Sequence, residues 1–217
     1  YHGDIFQTDD QDGTRFRFIK DPDFDFDLSF GGSFPTENNN NTARSGMPDL
    51  DWTLEIGPRL IYYFYRDPEV GNIRLGLPVR SAFSTNLSNL KNIGYLFAPT
   101  FQIDKYNFFA NGVDLYFDFT LNYISQGEAD YFYGINPKYS TAVRSSYDAR
   151  AGFLNWETSL AAKIEHNKTV IFFGAQYSDL SQSANRDSYL QRTNENISYF
   201  IGIGQILFRS EEKANFR

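Results

Sequence analysis

The sequence predicts an all-β protein: a transmembrane antiparallel up-and-down β-barrel with ten strands in view. Three observations carry that expectation. Nearly every segment alternates apolar and polar side chains. Aromatic residues make up 18% of the chain, with 22 Phe and 15 Tyr, which favours strands. Connections between segments alternate between tight and long. The alternation excludes helix because successive side chains of a strand point to opposite faces. In Val113–Tyr123 the odd positions are Val113, Leu115, Phe117, Phe119, Leu121 and Tyr123, and the even ones are Asp114, Tyr116, Asp118, Thr120 and Asn122. A 3.6-residue period would scatter the same residues round a helix.

Each element follows from the same rule. Tyr1–Thr8 reads as a strand and Asp9–Gly13 as a turn. Thr14–Lys20 sets Phe16 and Phe18 against Arg15 and Arg17. After Asp21-Pro22-Asp23, the segment Phe24–Phe34 sets Phe24, Phe26, Leu28 and Phe30 against Asp25, Asp27, Ser29 and Gly31. The polar loop Thr36–Asp51 leads to Trp52–Tyr65, where Leu54, Ile56, Leu60, Tyr62 and Phe64 oppose Thr53, Glu55, Arg59 and Tyr63. Arg66–Glu69 turns into Asn72–Thr85, with Ile73, Leu75, Leu77, Val79 and Phe83 against Arg74, Arg80 and Ser84. A loop, Asn86–Asn92, precedes the strand Ile93–Asp104, and Lys105–Asn107 turns into Phe108–Ser125. Gln126–Tyr147 is the longest connection. Asp148–Ile164 then sets Leu154, Trp156, Leu160, Ala162 and Ile164 against Asn155, Glu157, Ser159 and Lys163. Glu165–Asn167 turns into Lys168–Ser178, the polar loop Asp179–Asn194 follows, and Ile197–Phe208 is the last strand. No helix and no domain boundary is expected: residues 1–209 form the barrel and 210–217 a charged tail on the periplasmic side.

Composition narrows the function. The formal charge is −7 and no basic run occurs, which excludes binding nucleic acid through its phosphates. Without cysteine there is no disulfide, zinc-thiolate or thiol chemistry. The mean hydropathy is −0.48, so polar residues outweigh apolar ones, and the apolar ones are interleaved with them. No run reaches the ~18 apolar residues of a membrane-spanning helix, whereas spanning strands need only about 9–11 alternating residues. The chain opens at Tyr1 without methionine or leader, as a processed or truncated start would.

Periodicity does not say which face is inside. Tight turns near 21, 67, 106 and 166 against longer loops near 43, 89, 137 and 187 match an outer-membrane barrel, with short periplasmic turns and long external loops. A Greek-key sandwich has no reason to sort its loops this way. Tyr and Trp recur at strand ends (Trp52, Tyr62, Tyr106, Tyr123, Trp156, Tyr199), as in interfacial girdles. With lipid and lipopolysaccharide outside, the lumen would hold Arg15, Arg17, Asp25, Asp27, Glu55, Arg59, Arg74, Arg80, Asp114, Asp118, Glu157 and Lys163. Register round the turn near 21 would place Arg17 beside Asp25 and Arg15 beside Asp27, each pair contributing roughly 0.2–1 kcal/mol. Mixed signs suit an interior stitched by ion pairs; a polar path for small solutes is the alternative.

Several segments carry a family resemblance. They are Arg44-Ser45-Gly46-Met47-Pro48-Asp49-Leu50 running into Glu55-Ile56-Gly57-Pro58; Leu77–Ser84; Gly94 and Pro99; Tyr131–Ile135 leading to Ala142–Tyr147 and Gly152; and Tyr177–Leu180. In this order and spacing the chain resembles the MltA-interacting protein (MipA/OmpV) family of Gram-negative outer-membrane proteins. The resemblance implies a non-enzymatic envelope protein: a scaffold joining a lytic transglycosylase to a penicillin-binding protein or other envelope partners, an adhesin, or a narrow small-solute channel. It also implies residues for about two further strands before the segment matching Tyr1; either the ten in view belong to a twelve-stranded barrel, or that part is disordered here.

Catalysis would need His with Ser or a carboxylate beside it, and only His2 and His166 exist, one at the chain start and one in a tight turn. Asp9, Asp10 and Asp12 lack the remaining ligands of a calcium loop, so neither metal nor cofactor is expected. Gly202 and Gly204 are expected on the lumen face, admitting a neighbouring side chain or a bend. The candidate binding surface is external: Thr36–Asp51 with Gln126–Tyr147. The second loop mixes Tyr131, Phe132, Tyr133, Tyr139 and Tyr147 with Lys138 and Arg144. The same aromatics would serve equally if the loop folded inward as a plug.

Overall fold

The alternating segments form one antiparallel sheet of 11 strands. They are β1 (Phe6–Asp9), β2 (Gly13–Lys20), β3 (Phe24–Ser33), β4 (Trp52–Asp67), β5 (Gly71–Thr85), β6 (Leu90–Phe97), β7 (Thr100–Lys105), β8 (Val113–Ile124), β9 (Gly152–His166), β10 (Thr169–Asp179) and β11 (Glu195–Gln205). This computed structural model describes residues 6–9, 13–36, 42–109 and 112–206, with side chains from Phe16 onward. His2, Asp10, Asp12, the Arg15 side chain and the tail 210–217 lie outside the described residues.

Each strand neighbours the next in sequence, with one exception. The segment expected as a single strand over Ile93–Asp104 breaks at Ala98-Pro99 into β6 and β7, whereas β4 and β5 run on through Pro58 and Pro78. The two halves share one place in the sheet. β6 pairs with the upper half of β5 and touches β8 only at Leu96 and Phe97; β7 pairs with the lower half of β5 and with β8. The Leu121 N–H bonds the Pro99 carbonyl at 3.0 Å, holding β8 to the chain across the break.

Connections sort by end, with an exception. Residues 21–23, 68–70, 106–112 and 167–168 join strands at one end, and 34–51, 86–89, 125–151 and 180–194 at the other. The stretch 86–89 is as tight as the turns opposite it. The helix-free expectation fails in 125–151, where Gln126–Tyr133 forms α1. Its eight residues, QGEADYFY, carry no apolar stripe for a 3.6 period to reveal. The Ser125 hydroxyl does not cap α1 either; it accepts the Tyr95 N–H at 2.8 Å.

The two faces of the sheet are inverted relative to a soluble protein. Asp25 and Asp27 are 0% exposed and Arg59 6%, whereas Phe64 and Leu160 are each 59% exposed. Phe117 and Phe119 also face outward. Residues of β4 and of β11 line one cavity on the polar face, so the sheet curls with that face concave.

Pairing on that face corrects one expectation. A bulge between Arg17 and Ile19 sets Arg17 opposite Asp27, and Arg15 opposite Ser29. Arg17 still reaches Asp25, diagonally, at 3.3 Å. Asp27 is gripped by Arg59 from β4, with Nε–Oδ1 3.1 Å and Nη2–Oδ2 2.9 Å. Removing one partner of such a buried pair costs about 3–5 kcal/mol, because the other charge is stranded.

Candidate functional site

Strand alternation delivers the charges to the concave face, and long basic side chains let them meet across strands. Near the tight-turn end, Asp25 accepts from Arg66 at 3.1 Å and from the Tyr63 hydroxyl at 3.1 Å, besides Arg17. Arg74 meets Asp104 at 3.4 Å, and Lys163 meets Asp114 at 2.9 Å. Further along, Arg80 reaches Glu55 at 3.4 Å and donates Nε to the Ser29 hydroxyl at 3.0 Å. Asp118 accepts from Gln102 Nε2 at 3.0 Å and from the Ser159 hydroxyl at 2.9 Å. Glu157 accepts through Oε1 from Asn155 Nδ2 at 2.9 Å and from the Ser178 hydroxyl at 3.3 Å. Four of the expected lumen charges, Arg59, Arg80, Asp118 and Glu157, line a common cavity of about 420 Å³. Asp104, Gln102 and Tyr63 belong to the same network, and nothing but their place in the alternation marked them.

At the other end, three loops lock together into a cap. Arg144 is its hub, 5% exposed: it donates to the carbonyls of Ala43 (2.8 Å), Ser45 (3.0 Å) and Tyr139 (2.8 Å). Arg44 donates to the Phe132 carbonyl at 3.1 Å, and the Tyr131 hydroxyl accepts the Asp51 N–H at 2.9 Å. Tyr147 bridges Ile135, which is 2% exposed. The loop 180–194, read from sequence as plain polar, is the third member. Asn185 is fully buried and bonds both the N–H and the carbonyl of Arg150, at 2.8 and 2.9 Å. The Ser188 hydroxyl donates to the Tyr133 carbonyl at 2.8 Å. SQSANRDS carries no signal that separates a buried polar loop from a solvated one. Of the expected docking residues, Lys138 is exposed, its ammonium 4.7 Å over the Tyr139 ring; Tyr131, Tyr133 and Arg144 are committed to the cap.

The helix α1 seats against β6. Gly94, at φ +143°, makes room: a Cβ there would lie 2.8 Å from the Glu128 nitrogen. Glu128 is 4% exposed and its Oε2 has no hydrogen-bond partner among the described residues. Burial, and then the charge of Glu55, push its carboxyl up to about 7. Burial and then Glu128 push the Tyr133 phenol up to about 12. Burial also lowers the Arg44 guanidinium.

Gly202 and Gly204 are not filled by a neighbour: nothing lies within 4 Å of a Cβ at either. His166 is exposed at the end of β9. No group of three or more His, Asp or Glu converges among the described residues, and no described helix is long and apolar enough to cross a membrane. A family model described as MltA-interacting protein MipA matches residues 1–205. No curated protein and no solved structure matches the chain.

Proposed function

The chain belongs to the MltA-interacting protein MipA family, and from that premise we propose that it is a non-catalytic outer-membrane barrel that docks envelope proteins. The observation that carries this reading is the inverted sheet: buried ion pairs on one face and large exposed apolar side chains on the other. Acyl chains are the solvent that makes such a surface stable, and backbone groups satisfied between strands meet the requirement of a bilayer. Charges of both signs paired with each other, beneath a three-loop cap, favour a closed interior over an open pore.

The family description names an interaction with MltA, a murein transglycosylase, and a partner of that kind would approach from the periplasm. In this reading the tight turns face it. Their end carries one aromatic anchor, Phe108 and Phe109, 47% and 80% exposed and packed edge to face at 4.4 Å. Exposed aromatics of this kind dominate many interfaces. The test is twofold. Intact chain in planar bilayers should give no steady conductance, and immobilised chain should capture a purified murein transglycosylase. Replacing Phe108 and Phe109 with Ala should weaken capture about tenfold or more. Steady conductance without capture would replace docking by a solute channel.

A further inference from the structure

We propose that the cavity on the concave face binds a small organic ammonium ion. On one wall the cations already have partners, Arg59 with Asp27 and Arg80 with Glu55. Glu157, which lines another wall, has none of that kind among the described residues. Both of its hydrogen bonds come from neutral groups and converge on Oε1. A full negative charge and a second oxygen are left for a guest. In a cleft of about 420 Å³ between protein walls, a carboxylate attracts a cation more strongly than it would in water.

Aromatic rings complete the site. Tyr116, Phe172 and Phe200 line the same cavity, and Phe172 and Phe200 stack with centroids 5.2 Å apart at 24°. On β10 and β11 these two phenylalanines occupy the polar face, in register with Lys163 and Gly174. Gly174 makes the arrangement possible, since a Cβ there would lie 2.5 Å from the Phe200 ring. Rings turned away from the apolar outer face lose its burial, and a bound cation offsets that loss, because an ammonium is attracted to the negative face of an aromatic ring. A zwitterion is the poorer fit, because Arg80 already spends Nε on Ser29 and Nη1 on Glu55. A bare metal ion is poorer still, with no three-ligand group in the described residues.

The proposal does not depend on the docking reading and is tested without any protein partner. The 217-residue chain in a glucoside detergent is titrated calorimetrically with choline and with 3,3-dimethyl-1-butanol, which has the same shape and no charge. Choline should bind at least about tenfold more tightly than the alcohol. Glu157→Gln should weaken choline about tenfold and leave the alcohol unchanged. Phe200→Leu should weaken choline about threefold or more, while Leu160→Ala on the outer face should change nothing. If Glu157→Gln does not fold, the Phe200→Leu variant and the choline-to-alcohol ratio decide. Equal binding of the two probes, or binding of neither, overturns the proposal.

Discussion

At position 128 a carboxyl is nearly shut off from water, and its Oε2 has no hydrogen-bond partner among the described residues. Its value, raised from 4.5 to about 7, means that the unfolded cap releases the proton more readily than the docked one. Stability of the docked cap is therefore full below pH 4.5 and is lost as the pH rises through about 7, by up to about 3 kcal/mol. Hydrogen exchange of the α1 amides, corrected for intrinsic rates, should be faster at pH 8 than at pH 5. In Glu128→Gln that difference should vanish. In the sequence Glu128 is a lone glutamate in a polar loop and reads as solvated. Its burial comes from Gly94, distant in sequence and unremarkable alone, against which the start of α1 packs.

Among the elements, the strands were legible and the cap was not. Alternation located ten places in the sheet because the period of two is written into every residue, and the break at Ala98-Pro99 split one place into two strands. The bulge after Arg17 shifts the register of β2 on β3, and its sequence, RFI, does not differ from that of a regular strand. The cap rests on carbonyl acceptors, which every residue has, and so leaves no mark in side-chain identity. Arg144 carries the test at this scale. Arg144→Ala should strand three carbonyls and loosen the cap by about 3 kcal/mol. Limited proteolysis should then cut within 125–151 severalfold faster, with the melting of the sheet little changed.

For the molecule as a whole, the outward apolar face is the feature that a bilayer would read. Leu160 stands in the middle of β9 and is 59% exposed. Leu160→Arg should lower the stability of the vesicle-inserted protein by about 2–4 kcal/mol if that position lies near the midplane. Urea titration of protein folded into vesicles, followed by tryptophan fluorescence, measures the shift. A midpoint unchanged by Leu160→Arg would mean that this face does not meet lipid.

Strand positions, the alternation of polar and apolar side chains along them and the absence of thiol chemistry were settled by the sequence alone, because each follows from local period or composition. Which charges meet, that Asp27 is gripped by Arg59 from the next strand, and that one buried arginine ties two loops together were decided only in three dimensions. Those contacts join residues far apart in the chain, and their geometry depends on a bulge, a strand break and the curl of the sheet, which no periodicity encodes.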